Sequence, residues 1–379
     1  MTIKRSRAAM AALALGAGLS TAPAATLTDT RDGAFYAQLK PAGRFGAEEA
    51  ALWGRGMRAA QAGETSSLLM TRSDSAGSGV LSVPCRLGVE RARCQLDSGA
   101  SMSLIRDDEG SQSYPSVGRA QFSGASGQAT TAAVIRVPDL RAGGIDLGAQ
   151  TMVRVGMGFG ARQNEPALIG ITAFGRMRRL SFEFSAKRLR AGAAPWGGPA
   201  YKLYRSSQGH LILPVAINGE RGLALWDTGA SLTVVDPQFI REHPEGFELL
   251  GRTTIRDIAN QPMRAGIFRA RSLKVGLYDF EDVVVAGVDS NAFFPEIRAK
   301  RLAPAILGYN LITRADWTMD LKNGRWAASK PIAQDYLAST VRLRARAGLA
   351  SVGALGGLSL PGNIRLRLPR GRITLAADP

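Results

Sequence analysis

Histidine and cysteine are almost absent from this chain, with two of each among 379 residues. Serine and cysteine proteases need a histidine base in most designs, and zinc proteases need ligands of the His-Glu-x-x-His kind. His210 and His243 belong to no such motif. Each is expected on a surface or a strand face. No Gly-rich phosphate loop precedes a helix, so no nucleotide cofactor is implied, and nothing calls for a metal. Zinc-finger spacing, a helix-turn-helix pattern and an aromatic-studded basic strand are also missing. The net charge of +17 is therefore not read as a nucleic-acid footprint. It reads as a solvated basic surface, with anionic envelope polymers or lipids as the functional alternative.

Long hydrophobic runs are lacking as well. The one apolar stretch near the N-terminus, Ala8 to Leu19, is shorter than the ~20 residues a membrane span needs. It follows Lys4, Arg5 and Arg7 and ends in Ala22-Pro23-Ala24-Ala25. This is the layout of a signal peptide cleaved near Ala25 or Thr26, an uncleaved anchor being the weaker reading. The mature protein is expected to be exported and soluble, in a bacterial periplasm or secreted.

What is present is glycine, proline and short β-branched runs. Forty-four glycines and 18 prolines with 45% hydrophobic residues favour an all-β, strand-and-turn protein with few short helices. Residues 79–105 overlay residues 209–235 without a gap, at a constant offset of 130. Identities fall at Gly79/Gly209, Leu81/Leu211, Pro84/Pro214, Glu90/Glu220, Arg91/Arg221, Asp97/Asp227, Gly99/Gly229, Ala100/Ala230 and Ser101/Ser231. The chain is a tandem repeat. Each copy opens with a β-hairpin, turning at Gly88-Val89 or Asn218-Gly219, and returns into an aspartate loop. Each later reaches an apolar segment ending in glycine, Pro166 to Gly170 or Pro304 to Gly308. Closing strands are expected at Leu180–Phe184 and Trp317–Leu321.

The Gly- and Pro-rich piece from Ala191 to Ala200 reads as a linker. The expected organisation is a signal peptide at 1–25, an N-terminal segment at 26–70 with one helix over Ala47–Ala62, and a first lobe at 71–190. A linker at 191–203, a second lobe at 204–329 and a basic extension at 330–379 complete it. Residues 26–70 are open to two readings, a supporting element or an inhibitory pro-segment. The extension ends in an alternating strand that turns back at Pro369-Arg370-Gly371. Cys85 and Cys94 fall on adjacent strands of the first hairpin. They are either a disulfide or two small core residues, like Val215 and Ala224 in the second copy.

Asp-Ser-Gly-Ala at 97–100 and Asp-Thr-Gly-Ala at 227–230, with the two apolar-Gly segments, resemble the aspartic proteases of the pepsin and retropepsin group. The resemblance covers most of residues 79–325 and implies a bilobal acid-protease fold. One Asp-Ser-Gly alone would be a turn signal. Two at matching places in a repeat carry more. The family chemistry needs a base to deprotonate water and an acid to protonate the carbonyl oxygen, and two carboxylates sharing one proton supply both. Asp97 and Asp227 are then the catalytic pair. Ser98 and Thr228 would hydrogen-bond across the lobe interface, Gly99 and Gly229 would let backbone approach the carboxylates, and Gly170 and Gly308 would sit where a strand passes behind each loop. The excursions bearing Phe122, Gly124 and Gly127 and bearing Asn260 and Gln261 are candidate flaps over a bound peptide, or plain hairpin tips.

Alanine rather than serine follows Gly99 and Gly229, so a hydroxyl donor to the carboxylates is missing. Activity is expected at mildly acidic to neutral pH. The implied partner is an extended peptide or an exported or envelope protein, bound without cofactor. The rival is a catalytically silent peptide-binding module of the same fold. A monomer with an intramolecular pseudo-dimer is expected over lobes that pair between chains. Leu104, Trp226 and Val234 are candidate apolar pocket residues, core packing being the favoured reading of Trp226.

Overall fold

The computed structural model describes Thr28–Asp29 and residues 64–72, 78–123, 129–156, 165–174, 177, 179–192, 199–205, 209–256, 261–289, 294–299 and 302–329. The signal peptide expected at 1–25, the helix expected over Ala47–Ala62, Gly124, Gly127, Asn260 and the extension at 330–379 lie outside the described residues.

The protein is mostly β-sheet, with short helices such as Pro237–Glu242 and Tyr309–Ile312. Among the described residues the strands form sheets of nine, eight and six. In the eight-stranded sheet the order is Leu69–Arg72, Gly79–Leu87, Glu90–Asp97, Ala167–Gly170, Ser103–Arg106, Ile145–Val155, Ala129–Ala142, Ser116–Ser123. The nine-stranded sheet begins with Thr28–Asp29. It then runs Tyr204–Arg205, Leu211–Ile217, Glu220–Trp226, Ala303–Leu307, Thr233–Val235, Tyr278–Gly287, Pro262–Val275, Phe247–Arg256. Past that first strand the two orders correspond one for one. Both place the aspartate-bearing strand parallel to the apolar-Gly strand. Both also fold the long later strand back onto the first hairpin.

The local reasons are short-range. Asn218 at φ 51° and Gly219 at φ 93° supply the left-handed pair that a two-residue hairpin turn requires. In the first hairpin Gly88 alone is left-handed, at φ 58°, as a two-residue turn with glycine at its first central position allows. Alternation along Ile145–Val155, mostly inward then outward, seats one face on the core.

The six-stranded sheet joins the two halves. Its order is Tyr201–Lys202, Arg325–Ala328, Trp317–Asp320, Arg179–Glu183, Arg188–Ala191, Thr65–Ser67. Ser181 lies opposite Thr318 at its centre, their buried hydroxyls 2.8 Å apart. One continuous apolar core runs beneath, from Leu81 and Ile135 through Phe182 to Trp226, Trp317 and Val285. The expected boundary at 70/71 thus falls inside the strand Leu69–Arg72. Tyr201–Lys202, expected as linker, pairs with Trp326 and Arg325. Leu69–Arg72 is short and pairs with the next strand, Gly79–Leu87, whereas the backbone groups of Tyr201–Lys202 find partners only far along the chain.

Two smaller clusters lie under the aspartate loops and match position by position. Ala100, Met102, Leu104, Val134, Val153 and Leu168 form one. Ala230, Leu232, Val234, Ile267, Ala286 and Ile306 occupy the same places in the other. Leu104 and Val234 are buried in these clusters. Trp226 is wholly buried, its ring 4.6 Å from Phe182 and 6.2 Å from Trp317, centroid to centroid. It packs the core and is not a pocket wall. Cys85 and Cys94 are disulfide-bonded, with Cα atoms 5.7 Å apart. No helix among the described residues is long and apolar enough to cross a membrane.

Candidate active site

Two strands end face to face. Glu90–Asp97 delivers Asp97 and Glu220–Trp226 delivers Asp227, each into a tight turn closed by small residues. Both aspartates are buried, and their carboxyls are hydrogen-bonded to each other.

Reciprocal bonds hold the turns together. The Ser98 N–H donates to Thr228 Oγ1 at 2.9 Å, and the Thr228 N–H donates to Ser98 Oγ at 2.9 Å. Each hydroxyl then donates onward into the other half. Ser98 Oγ reaches the Trp226 carbonyl at 2.7 Å, and Thr228 Oγ1 reaches the Leu96 carbonyl at 3.1 Å. Four buried polar groups are satisfied by one closed set, so loss of either hydroxyl strands a backbone N–H.

The glycines keep the carboxyls within reach. A Cβ on Gly99 would lie 2.4 Å from Asp227 Cγ, and one on Gly229 would lie 2.2 Å from Asp97 Cγ. Each turn therefore needs glycine because of the carboxyl opposite, not its own. Behind the turns, Gly170 lies opposite Asp97 in a parallel register. A Cβ there would meet the Met102 carbonyl oxygen at 2.4 Å, and one on Gly308 would meet Leu232 backbone at 2.3 Å. Equivalent hydroxyls cap both, Ser103 Oγ accepting from the Gly170 N–H at 3.1 Å and Thr233 Oγ1 from that of Gly308 at 3.2 Å.

Electrostatics separate the two carboxyls. Burial, then the charge of Asp227 and the hydrogen bond to it, hold Asp97 well above the usual carboxylate range. Burial also raises Asp227, opposed by the Gly229 N–H, the Asp97 carboxyl, and the N–H groups of Ala230 and Gly99. Asp227 receives the 3.1 Å bond from Gly99, which sits in the other half. Asp97 receives only its own turn, from Gly99 and Ala100, both at 2.9 Å. The pair therefore holds one shared proton, and the extra N–H from Gly99 favours negative charge on Asp227.

Residues 213–311 match a family model described as aspartyl protease. The match supports an aspartic protease family and, in general terms, peptide hydrolysis. It contains Asp227, Thr228, Gly229 and Gly308 and lies wholly in the second half of the chain. No curated protein matches the chain.

The structure brings Asp97, Ser98, Gly99, Asp227, Thr228 and Gly229 into one buried site, backed by Gly170 and Gly308. Phe122 lies in the strand Ser116–Ser123 and Gln261 just before Pro262–Val275, on the hairpins that bear the two excursions. His210 was expected on a surface or strand face. It is instead buried and hydrogen-bonded with the Gly99 backbone. Burial drives its imidazole down to about 4, opposed by that bond. The only signal in the sequence was its mismatch with Val80, its counterpart in the first copy. Among the described residues no cluster of His, Cys, Asp and Glu could hold a metal ion.

Proposed function

We propose that the protein is an aspartic endopeptidase in which one chain carries both catalytic carboxylates, Asp97 and Asp227, on tandem retropepsin-like lobes related by a pseudo-twofold. The observation that carries this reading is the buried, mutually hydrogen-bonded carboxyl pair locked by the reciprocal Ser98–Thr228 bonds. In the reaction, Asp227 takes a proton from water as the water oxygen attacks the peptide carbonyl carbon. Asp97 gives its proton to the carbonyl oxygen. The tetrahedral diol collapses with cleavage of the C–N bond, a proton passing to the leaving nitrogen and the pair returning to one shared proton.

The hairpins Ser116–Ser123 with Ala129–Ala142 and Phe247–Arg256 with Pro262–Val275 occupy equivalent places, and their tips are the flaps of this reading. Export, a periplasmic or secreted location and a monomeric active state belong to the same proposal. The basic C-terminal extension contacts an anionic envelope surface in it.

The test is incubation of the mature protein with an unfolded protein substrate beside Asp97→Asn and Asp227→Asn variants. Cleavage is expected in the parent alone. Cleavage by both variants would overturn the dyad, and a parent that binds the polypeptide without cutting it would point to the silent binding module. Activity that falls on dilution would contradict the monomer.

A further inference from the structure

A groove of about 1020 Å³ opens on the nine-stranded sheet, and no residue of either aspartate turn lines it. Its floor has a specific origin. Gly266 and Gly287 lie directly opposite each other on Pro262–Val275 and Tyr278–Gly287. The Phe268 ring reaches over both, so a Cβ would meet it at 2.5 Å on Gly266 and 2.9 Å on Gly287. Two facing glycines let the ring lie low on the sheet as an apolar floor, with the groove open above it.

A β-bulge shapes the wall. Between Leu249 and Gly251 the register of Phe247–Arg256 slips, which turns Leu249 and Arg252 to the same face. Leu249 pairs with Phe268, Arg252 with Gly266, and Thr254 with Arg264. The helix Pro237–Glu242 closes the far side with Ile240 and Arg241. Leu249 is 46% exposed, one of three large hydrophobics that stand out from the described surface. Arg241, Arg252 and Arg264 are all exposed. None of the three forms an ion pair with a described residue. Glu248, between the bulge and the turn, points to the opposite face and is held there by Arg269.

The corresponding place in the eight-stranded sheet is filled. Ala133 and Arg154 are the facing pair there, next to Val134 and Val153, as Gly266 and Gly287 stand next to Ile267 and Ala286. Arg154 is engaged by Asp107 and the Ser111 carbonyl. The trough belongs to one half only.

We infer that this groove is a second binding site, for an acidic polypeptide segment that seats an apolar side chain on Phe268 and Leu249 and sets its carboxylates on Arg241, Arg252 and Arg264. Charge complementarity selects the sign, because three exposed guanidiniums around an apolar floor favour anions with planar, bidentate oxygens. A polypeptide fits better than an acyl chain. Phe247–Arg256 is the last strand of its sheet, so its outer backbone groups offer hydrogen bonds along a line. An acyl chain would use none of them. Identifying the segment as part of a protein substrate rests on the endopeptidase reading; the binding itself does not.

Fluorescence anisotropy of the full chain carrying Asp227→Asn, which leaves the probe uncut, tests the site. The probe is a short labelled peptide alternating Asp or Glu with Leu or Phe. Binding is expected to weaken with added salt and to fall about tenfold or more on Arg252→Ser with Arg264→Ser. Arg241→Ser alone should cost about threefold. Unchanged unfolding midpoints show that the variants are folded. Equal affinity of the double variant and its parent would overturn the site, as would equal binding of a peptide with Lys and Arg in place of the acids. Binding to phosphatidylglycerol vesicles but not to the peptide would also overturn it. A protein that binds this peptide yet never cleaves any polypeptide keeps the groove and loses the peptidase reading.

Discussion

The two halves of the molecule have the same strand order but differ at matched positions. Where the second has Thr228, the first has Ser98, and the hydrogen bonds are the same. Elsewhere the first has Val80, a disulfide and a filled trough, and the second has His210, Val215 with Ala224, and an open trough. Backbone geometry is duplicated and side-chain chemistry is divided. Two equal carboxyls would compete for one proton, whereas the Gly99 N–H, shared with Asp227, tips it towards Asp97.

The largest test of this pairing is Gly99→Ala. Its methyl would intrude on Asp227, so peptide cleavage should fall ~100-fold or more. Gly229→Ala should do the same to Asp97, and kcat/KM on one peptide measures both. Retained activity in either variant would mean that the halves do not meet as described.

His210→Val installs the residue of the first half. Neutral His210 stabilises the fold fully above pH 6.5, and that contribution disappears as pH falls towards about 4, because the unfolded chain then takes up a proton the folded one refuses. The shift corresponds to ~3 kcal/mol. Urea unfolding at pH 7 and pH 4.5 should show the parent losing ~2–3 kcal/mol more than the variant. Equal losses would remove the histidine from the account. Asp97 has the opposite sign: raised in the fold, it stabilises while protonated, and that contribution is lost as pH rises through its raised value. Activity should fail on the same alkaline limb, while loss of the His210 contribution bounds stability on the acid side.

Replacing Cys85 with Val and Cys94 with Ala copies the second half. The closed loop spans a sequence separation of 9, so the loss in chemical unfolding should not exceed ~2.5 kcal/mol. Thr228→Val should cost ~1–3 kcal/mol by stranding the Ser98 N–H. Thr228→Ser should recover it, since Ser98 already does the same task opposite. Failure of serine to rescue would show that the threonine methyl matters, which would break the equivalence.

The aspartate turns were legible because their chemistry is packed into four consecutive residues that occur twice. Hairpins were legible too, since Asn218-Gly219 fixes its turn locally. Of the six-stranded sheet only the closing strands Arg179–Glu183 and Trp317–Asp320 were legible, because Thr65–Ser67 and Tyr201–Lys202 are brief and their partners lie far off. His210 escaped for a related reason: its position in the strand pattern says nothing of the turn from the other half that passes over it. The trough depends on Gly266 meeting Gly287 across a register that no single segment specifies.

The central sheet also imposes a schedule on synthesis. Arg179–Glu183 presents an unpaired edge until Trp317–Asp320 arrives, and Tyr201–Lys202 waits for Arg325–Ala328. A nascent chain that has emerged only as far as residue 300 holds both aspartates yet lacks the strands that bring its halves together. Competence therefore arrives late and all at once, and until then the bare edge is the part of the chain most in need of a chaperone.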